Sequence, residues 1–194
     1  MLRNFRLNPT IAALAALWAV LVFTAPAAPA QVKPFKVTGG GTAPEGLPLF
    51  NGGPPASHNA TGTATHLGKY SGDEGMFTLL SFDFETLTGT FGGSFVFVAA
   101  NGDRLKCNYR RNSEIPGTGT FFVSGFTEDG EIIVTFIQEF TPVPSESTGK
   151  FAQVTGGSFI MIATTDPFPL EIIDGYTQPF SYTWKGEGKL EFAK

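Results

Sequence analysis

The sequence predicts an all-β chain folded as an antiparallel up-and-down barrel of about eight strands, with a two-sheet β-sandwich as the structural alternative. Three observations carry this. Residues 180–192 alternate without a break: Phe180, Tyr182, Trp184, Gly186, Gly188, Leu190 and Phe192 share one face, and hydroxyl or charged residues fill the other. A period of two separates those sets onto a dry and a wet side of one strand. Two dipeptides, Asn101-Gly102 and Asp129-Gly130, sit between alternating runs, where tight hairpins need residues that tolerate positive φ. Finally, no stretch beyond residue 30 has the period of an amphipathic helix, while 20 of the 194 residues are phenylalanine, a supply that suits filling or lining a small barrel.

Residues 1–30 read as a signal peptide. Arg3 and Arg6 form a basic start, Ile11 to Phe23 an apolar run, and Ala28-Pro29-Ala30 a small-residue cleavage site before Gln31. An uncleaved anchor is the alternative, although the run is short for a span of about 20 residues. The expected location is secreted or periplasmic. Residues 31–60 form a Gly/Pro-rich N-terminal segment, with a short strand around 33–37, and Leu47, Leu49 and Phe50 as apolar residues able to dock on the body.

The barrel domain is expected at 61–194. Alternation and turn punctuation divide it into strands near 61–70, 76–85, 91–100, 103–110, 118–127, 131–140, 150–163 and 178–192. The apolar connection 166–178 carries Pro167 and Pro169 against a continuous helix and is expected to hold one helical turn or to cap a barrel end. Strands 91–100 and 131–140 are apolar on both faces. Their outer residues call for cover by a subunit interface, by 38–60 or by 166–178.

Composition excludes some classes. Removing Arg3 and Arg6, and no acid, takes the net charge from −4 to −6, so no nucleic-acid partner is expected. Cys107 is alone, which forbids an internal disulfide, and its alternation with Leu105 and Tyr109 makes it a buried thiol. No metal-ligand spacing, phosphate loop or nucleophile elbow is present, so neither metal nor cofactor is expected.

Three segments carry a family resemblance: Thr63-Ala64-Thr65-His66-Leu67-Gly68-Lys69-Tyr70, Ala99-Ala100-Asn101-Gly102-Asp103-Arg104-Leu105, and 147–159 with Thr148-Gly149-Lys150-Phe151-Ala152. Together they resemble secreted bacterial β-barrels related to the allene oxide cyclase and dirigent-like families. In the third segment Gln153 and Val154 replace the usual small residues. The resemblance implies an eight-stranded barrel, often oligomeric, with a hydrophobic cavity. No catalytic residue of those families aligns here.

The candidate ligand-binding residues are His66, Tyr70, Tyr109, Glu139, Tyr182 and Trp184. His66 shares a phase with Tyr70 and could pair with it against a ligand carbonyl or hydroxyl; the alternative is a histidine serving a turn. His58, in the Gly/Pro-rich segment, ranks lower. Gln138 and Glu139 fall on opposite faces, so one of them points inward, and an inward carboxylate would act as a general base. Asp73-Glu74 reads as a turn.

Four functions follow from these features. A barrel binding a small apolar ligand leads, ahead of an isomerase or cyclase using the same cavity. A packed structural barrel that self-associates, as a homo-oligomer, is third. An integral membrane barrel is disfavoured, because two strands are apolar on both faces.

Overall fold

The structure is a computed structural model that describes residues 30–49, 54–110 and 112–194. The signal-peptide segment through residue 29 and the docking residue Phe50 lie outside the described residues. The described residues form nine strands: β1 (Gln31–Ala43), β2 (Ala56–Ala64), β3 (Gly68–Asp83), β4 (Thr88–Ala99), β5 (Arg104–Arg110), β6 (Thr120–Phe126), β7 (Ile132–Pro142), β8 (Val154–Thr165) and β9 (Phe180–Phe192). Two short 3-10 turns, Pro144–Glu146 and Gly149–Gln153, link β7 to β8.

All pairings are antiparallel and the sheet closes. Neighbours run β3-β2-β1-β9-β8-β7-β5-β4, and β3 pairs with β4 to complete the ring. The fold is therefore a closed barrel of eight staves with one extra strand, and not a sandwich. The extra strand is β6, which lies end to end with β5. Along β7 the partner passes from Arg110 opposite Glu139 to Thr120 opposite Ile137. Along β4 it passes from Tyr109 opposite Gly93 to Thr120 opposite Thr90. One stave is thus broken by a loop, residues 112–119, that leaves the wall and returns.

Several boundaries differ from the sequence reading. Residues 31–43 form a full strand paired along its length with β9, Gln31 opposite Phe192 and Ala43 opposite Phe180. The barrel therefore begins at β1, ahead of the expected boundary at residue 60. The break expected near 71–75 is a register irregularity inside β3, between Ser71 and Met76. This places Asp73 and Glu74 on a strand. The expected strand at 150–163 starts at Val154, after the 3-10 turn.

Both hairpin signals correspond to turns. Gly102 and Gly130 take φ of 85° and 83°, and Ala99 N–H donates to Asp103 O at 2.9 Å, as Thr127 N–H does to Glu131 O.

Inward positions hold the core. Phe35, Phe97, Phe140 and Phe159 are almost fully buried at the end where β1 starts, the base, with ring centroids 4.7 Å apart for Phe35–Phe159 and 5.2 Å for Phe140–Phe159. Burying each such ring contributes roughly 1.5–3 kcal/mol. Cys107 is buried among them, and burial pushes its thiol pKa upward.

The opposite end carries a lid. Residues 44–49 meet the 166–179 connection: Leu47 N–H donates to Thr177 Oγ1 at 2.9 Å, Thr177 N–H to Leu47 O at 3.0 Å, and Leu49 N–H to Gly175 O at 2.8 Å. Phe168 exchanges backbone hydrogen bonds with Ile132 and stacks on Phe180 at 4.8 Å. The connection contains no helical turn and caps the barrel by pairing. On the outer side of β7 the 112–119 loop bonds to Glu139 and passes Ile137 at Gly117, while Ile133, Thr135 and Ile137 stay half-buried.

Candidate functional site

Beneath the lid lies a cavity of about 50 Å³. Its floor is Trp184 and Tyr182 from β9, its walls include Phe91, Phe136 and Ala163, and Leu47 hangs over it from the lid. The apolar character follows from the inward phases of β4, β7 and β9. Two strands add polar groups to this phase: β2 supplies His58 and β7 supplies Gln138.

His58 enters the barrel because its partner across the ladder is Gly75. A Cβ at Gly75 would stand 2.6 Å from His58 Nε2, so only glycine leaves room for the ring. The imidazole stacks on Phe95 at 5.3 Å. Its Nδ1 lies 2.8 Å from Tyr182 Oη and its Nε2 lies 3.0 Å from Tyr109 Oη. Behind them, Tyr182 Oη donates to Asn59 O at 2.8 Å and Tyr109 Oη to Met76 O at 2.7 Å. The register shift between His58 and Ala60 makes Asn59 the irregular residue of that pair of strands.

The proton count of this chain of groups is uneven. Each phenol has one proton, and satisfying both carbonyls leaves both phenols as acceptors from the ring, which only imidazolium could serve. Burial drives His58 the other way, lowering its pKa to about 4. Neutral His58 has one N–H, so one tyrosine donates to the ring and gives up its carbonyl. Burial also raises the Tyr109 and Tyr182 phenols well above their ordinary range.

Below this network Trp184 Nε1–H donates to Tyr70 Oη at 2.6 Å, and Tyr70 Oη donates to Thr38 O at 3.3 Å. Burial holds the Tyr70 phenol up at about 12, with the indole bond pulling against it. Every nitrogen and hydroxyl of His58, Tyr70, Tyr109, Tyr182 and Trp184 is thereby engaged.

Gln138 is the exception. The residue is 5% exposed, and its Oε1 is, among the described residues, the one buried side-chain oxygen or nitrogen without a hydrogen-bond partner. Buried polar atoms are overwhelmingly paired, and leaving one unpaired costs about 1–3 kcal/mol.

Of the candidate residues, the structure brings together Tyr109, Tyr182 and Trp184, with Tyr70 bonded to Trp184 beside them. It does not bring in His66 or Glu139. His66 occupies the β2–β3 turn with φ 68°, exposed at the base, the end away from the cavity. Its ring meets Phe192 edge-on at 6.2 Å. Glu139 is on the outer face and accepts Asn112 Nδ2–H at 2.7 Å. The inward member of the pair is Gln138.

Sequence reasoning undervalued His58 and, of the pair Gln138 and Glu139, named Glu139 as the candidate. The missed signal is a period of two in small residues: Ala56, His58, Ala60, Gly62 and Ala64 face inward, while Ser57, Asn59, Thr61 and Thr63 alternate with them. No three His, Cys, Asp or Glu side chains gather as a metal site among the described residues. Comparison with protein families, with curated proteins and with solved structures finds no match to this chain.

Proposed function

We propose that this barrel binds a small, mainly apolar molecule in the cavity beneath the lid. The observation that carries the reading is the buried Gln138 amide, whose Oε1 has no partner, beside a cavity lined mainly by aromatic and aliphatic side chains. A barrel built only to be packed would place a methyl group there, since an orphaned acceptor destabilises the fold. A ligand that hydrogen-bonds the Gln138 amide would offset that cost.

Catalysis is the weaker reading. A general base needs a free lone pair facing substrate, whereas both His58 nitrogens face phenols and the Glu139 carboxylate lies outside the barrel. The allene oxide cyclase-like and dirigent-like resemblance, export after cleavage near residue 30, and homo-oligomer formation belong to the same proposal. Phe84 and Phe126, 60% and 63% exposed, support the last of these. Aromatic residues inside and Lys185, Glu187 and Lys189 outside on β9 support a barrel that works in water.

The test uses the full chain with Trp18→Phe, which leaves Trp184 as the single tryptophan. Saturable change in its emission on titration with small apolar probes, or a small molecule retained in native mass spectra, is expected. An unchanging Trp184 signal together with a bare protein mass overturns the proposal.

A further inference from the structure

We infer that copies of this chain assemble head to tail, the Phe84 tip of the β3–β4 hairpin of one copy seated in a groove at the base of the next. This rests on the homo-oligomer part of the proposal above and names its two surfaces.

The tip is a preformed wedge. Pairing of β2 with β3 ends at Ala56 opposite Phe77, and β3 runs on to Asp83 before turning back at Thr88. The hairpin therefore extends past β2 at the lid end. Asp83 fixes the turn, its Oδ1 accepting Glu85 N–H at 2.8 Å and Thr86 N–H at 3.3 Å. Phe84 rests edge-on against Phe82, ring centroids 4.7 Å apart, yet stays 60% exposed. A ring already held in place gives up little freedom on docking. Glu85 beside it is exposed.

The groove has the opposite character. It measures about 250 Å³, its lining includes Lys33, His66, Lys150, Phe151 and Phe192, and no Asp or Glu lines it. The Lys33 ammonium lies 4.8 Å from the centre of the Phe192 ring, and the Lys150 ammonium 5.4 Å from that of Phe151. The ion pairs among the described residues, Lys36–Glu187 and Arg104–Glu74, use neither of these lysines. Two cations beside aromatic rings suit a phenylalanine that brings a carboxylate with it.

Charge selects a second copy and sets its direction. No Lys or Arg lies at 37–68, 70–103, 112–149 or 151–184, ranges that hold all four connections at the lid end. Those connections carry Glu85, Glu128, Asp129, Glu171 and Asp174. Lid against lid would press carboxylates together, and groove against groove would oppose lysines. Lid against groove pairs opposite signs. Because the two surfaces differ, the contact is heterologous and repeats from copy to copy.

Sedimentation velocity of the full chain should show association that weakens about tenfold from low to high salt. Dilution of the unmodified protein, followed by amide NMR, should shift residues 83–87 together with His66, Lys150 and Phe192; this reading needs no variant to fold. A tip variant, Phe84→Ser with Glu85→Lys, and a groove variant, Lys33→Glu with Lys150→Glu, should each stay monomeric. Mixed, they should form a one-to-one dimer and nothing larger, since the groove variant keeps its tip and the tip variant keeps its groove. Association with dilution shifts elsewhere, or in variants measured alone, keeps the oligomer reading and sinks the head-to-tail contact. A monomer at every concentration removes both, and one that floats with phosphatidylcholine vesicles assigns the exposed rings to a lipid surface instead.

Discussion

Gln138 and Glu139 are neighbours on β7 and face opposite sides of one wall. The amide oxygen of the first is buried in the cavity without a partner, and the carboxylate of the second accepts Asn112 Nδ2–H outside at 2.7 Å. A strand reverses its side chains at every residue, so a register one step different would have put a carboxylate among aromatic rings. The neutral interior of this barrel depends on that step.

Gln138→Leu should stabilise the unliganded protein. The exchange removes an orphaned acceptor and keeps its approximate volume, so a gain of about 1–2 kcal/mol is expected, read as a higher midpoint in urea. A lower midpoint would mean that the amide has a stabilising role in the free barrel.

Stability should decline with acid through His58. Its pKa is about 4 in the folded chain, against about 6.5 for a free histidine. Between those values the unfolded state binds more protons, so the contribution is fully present above pH 6.5 and is lost as pH falls toward 4. The whole effect is about 3 kcal/mol. Urea titrations at pH 7.5 and pH 4.5, with His58→Phe as reference, isolate it from the carboxylates: the variant should show the smaller decline.

Tyr70→Phe should cost about 1–3 kcal/mol, because the buried Trp184 indole N–H loses its acceptor. Trp184→Phe in the same chain should recover part of that loss. Strict additivity in the double-mutant cycle would show that the 2.6 Å bond carries no coupling energy.

Leu47→Ala opens the roof of the cavity. The protein should lose about 2–5 kcal/mol of stability, and larger apolar probes should gain affinity relative to small ones. Titration of the variant and the unmodified protein with benzene and with a smaller apolar probe checks this; an unaltered order of affinity would mean that Leu47 does not bound the site.

Glu139→Gln should leave ligand affinity within about twofold, since its oxygen can still accept from Asn112 and lies outside the cavity. Glu139→Ala should instead speed amide exchange in residues 112–119, measured by hydrogen–deuterium exchange, with the same ligand affinity.

Large side chains made the fold legible. Phe180 to Phe192 shows its inward set directly, and Asn101-Gly102 and Asp129-Gly130 mark their turns. Small side chains hid the rest. β1 through Gly39 and Gly41, and β2 through Ala56, Ala60 and Gly62, carry an inward phase of residues that composition alone reads as loop. Gly39 and Gly62 leave space for Tyr70, as Gly75 does for His58, so the same feature that disguised the strands builds the site. Two offsets also produced the stave number: β1 was unread as a wall strand, while β5 and β6 were counted separately though they share one stave. His66 was chosen over His58 because its segment looked like a strand, whereas positive φ at His66 marks the turn.

The seam between β1 and β9 governs when this molecule can come into being. Its two strands are held together over thirteen residues, with Gln31 opposite Phe192, so the ring waits until β9 has left the ribosome. Until then β1 and β8 present raw edges able to recruit another chain, and contacts this distant in sequence form slowly. A protein built this way depends on being kept apart from its copies during synthesis, and a chain cut short before β9 should accumulate as aggregate.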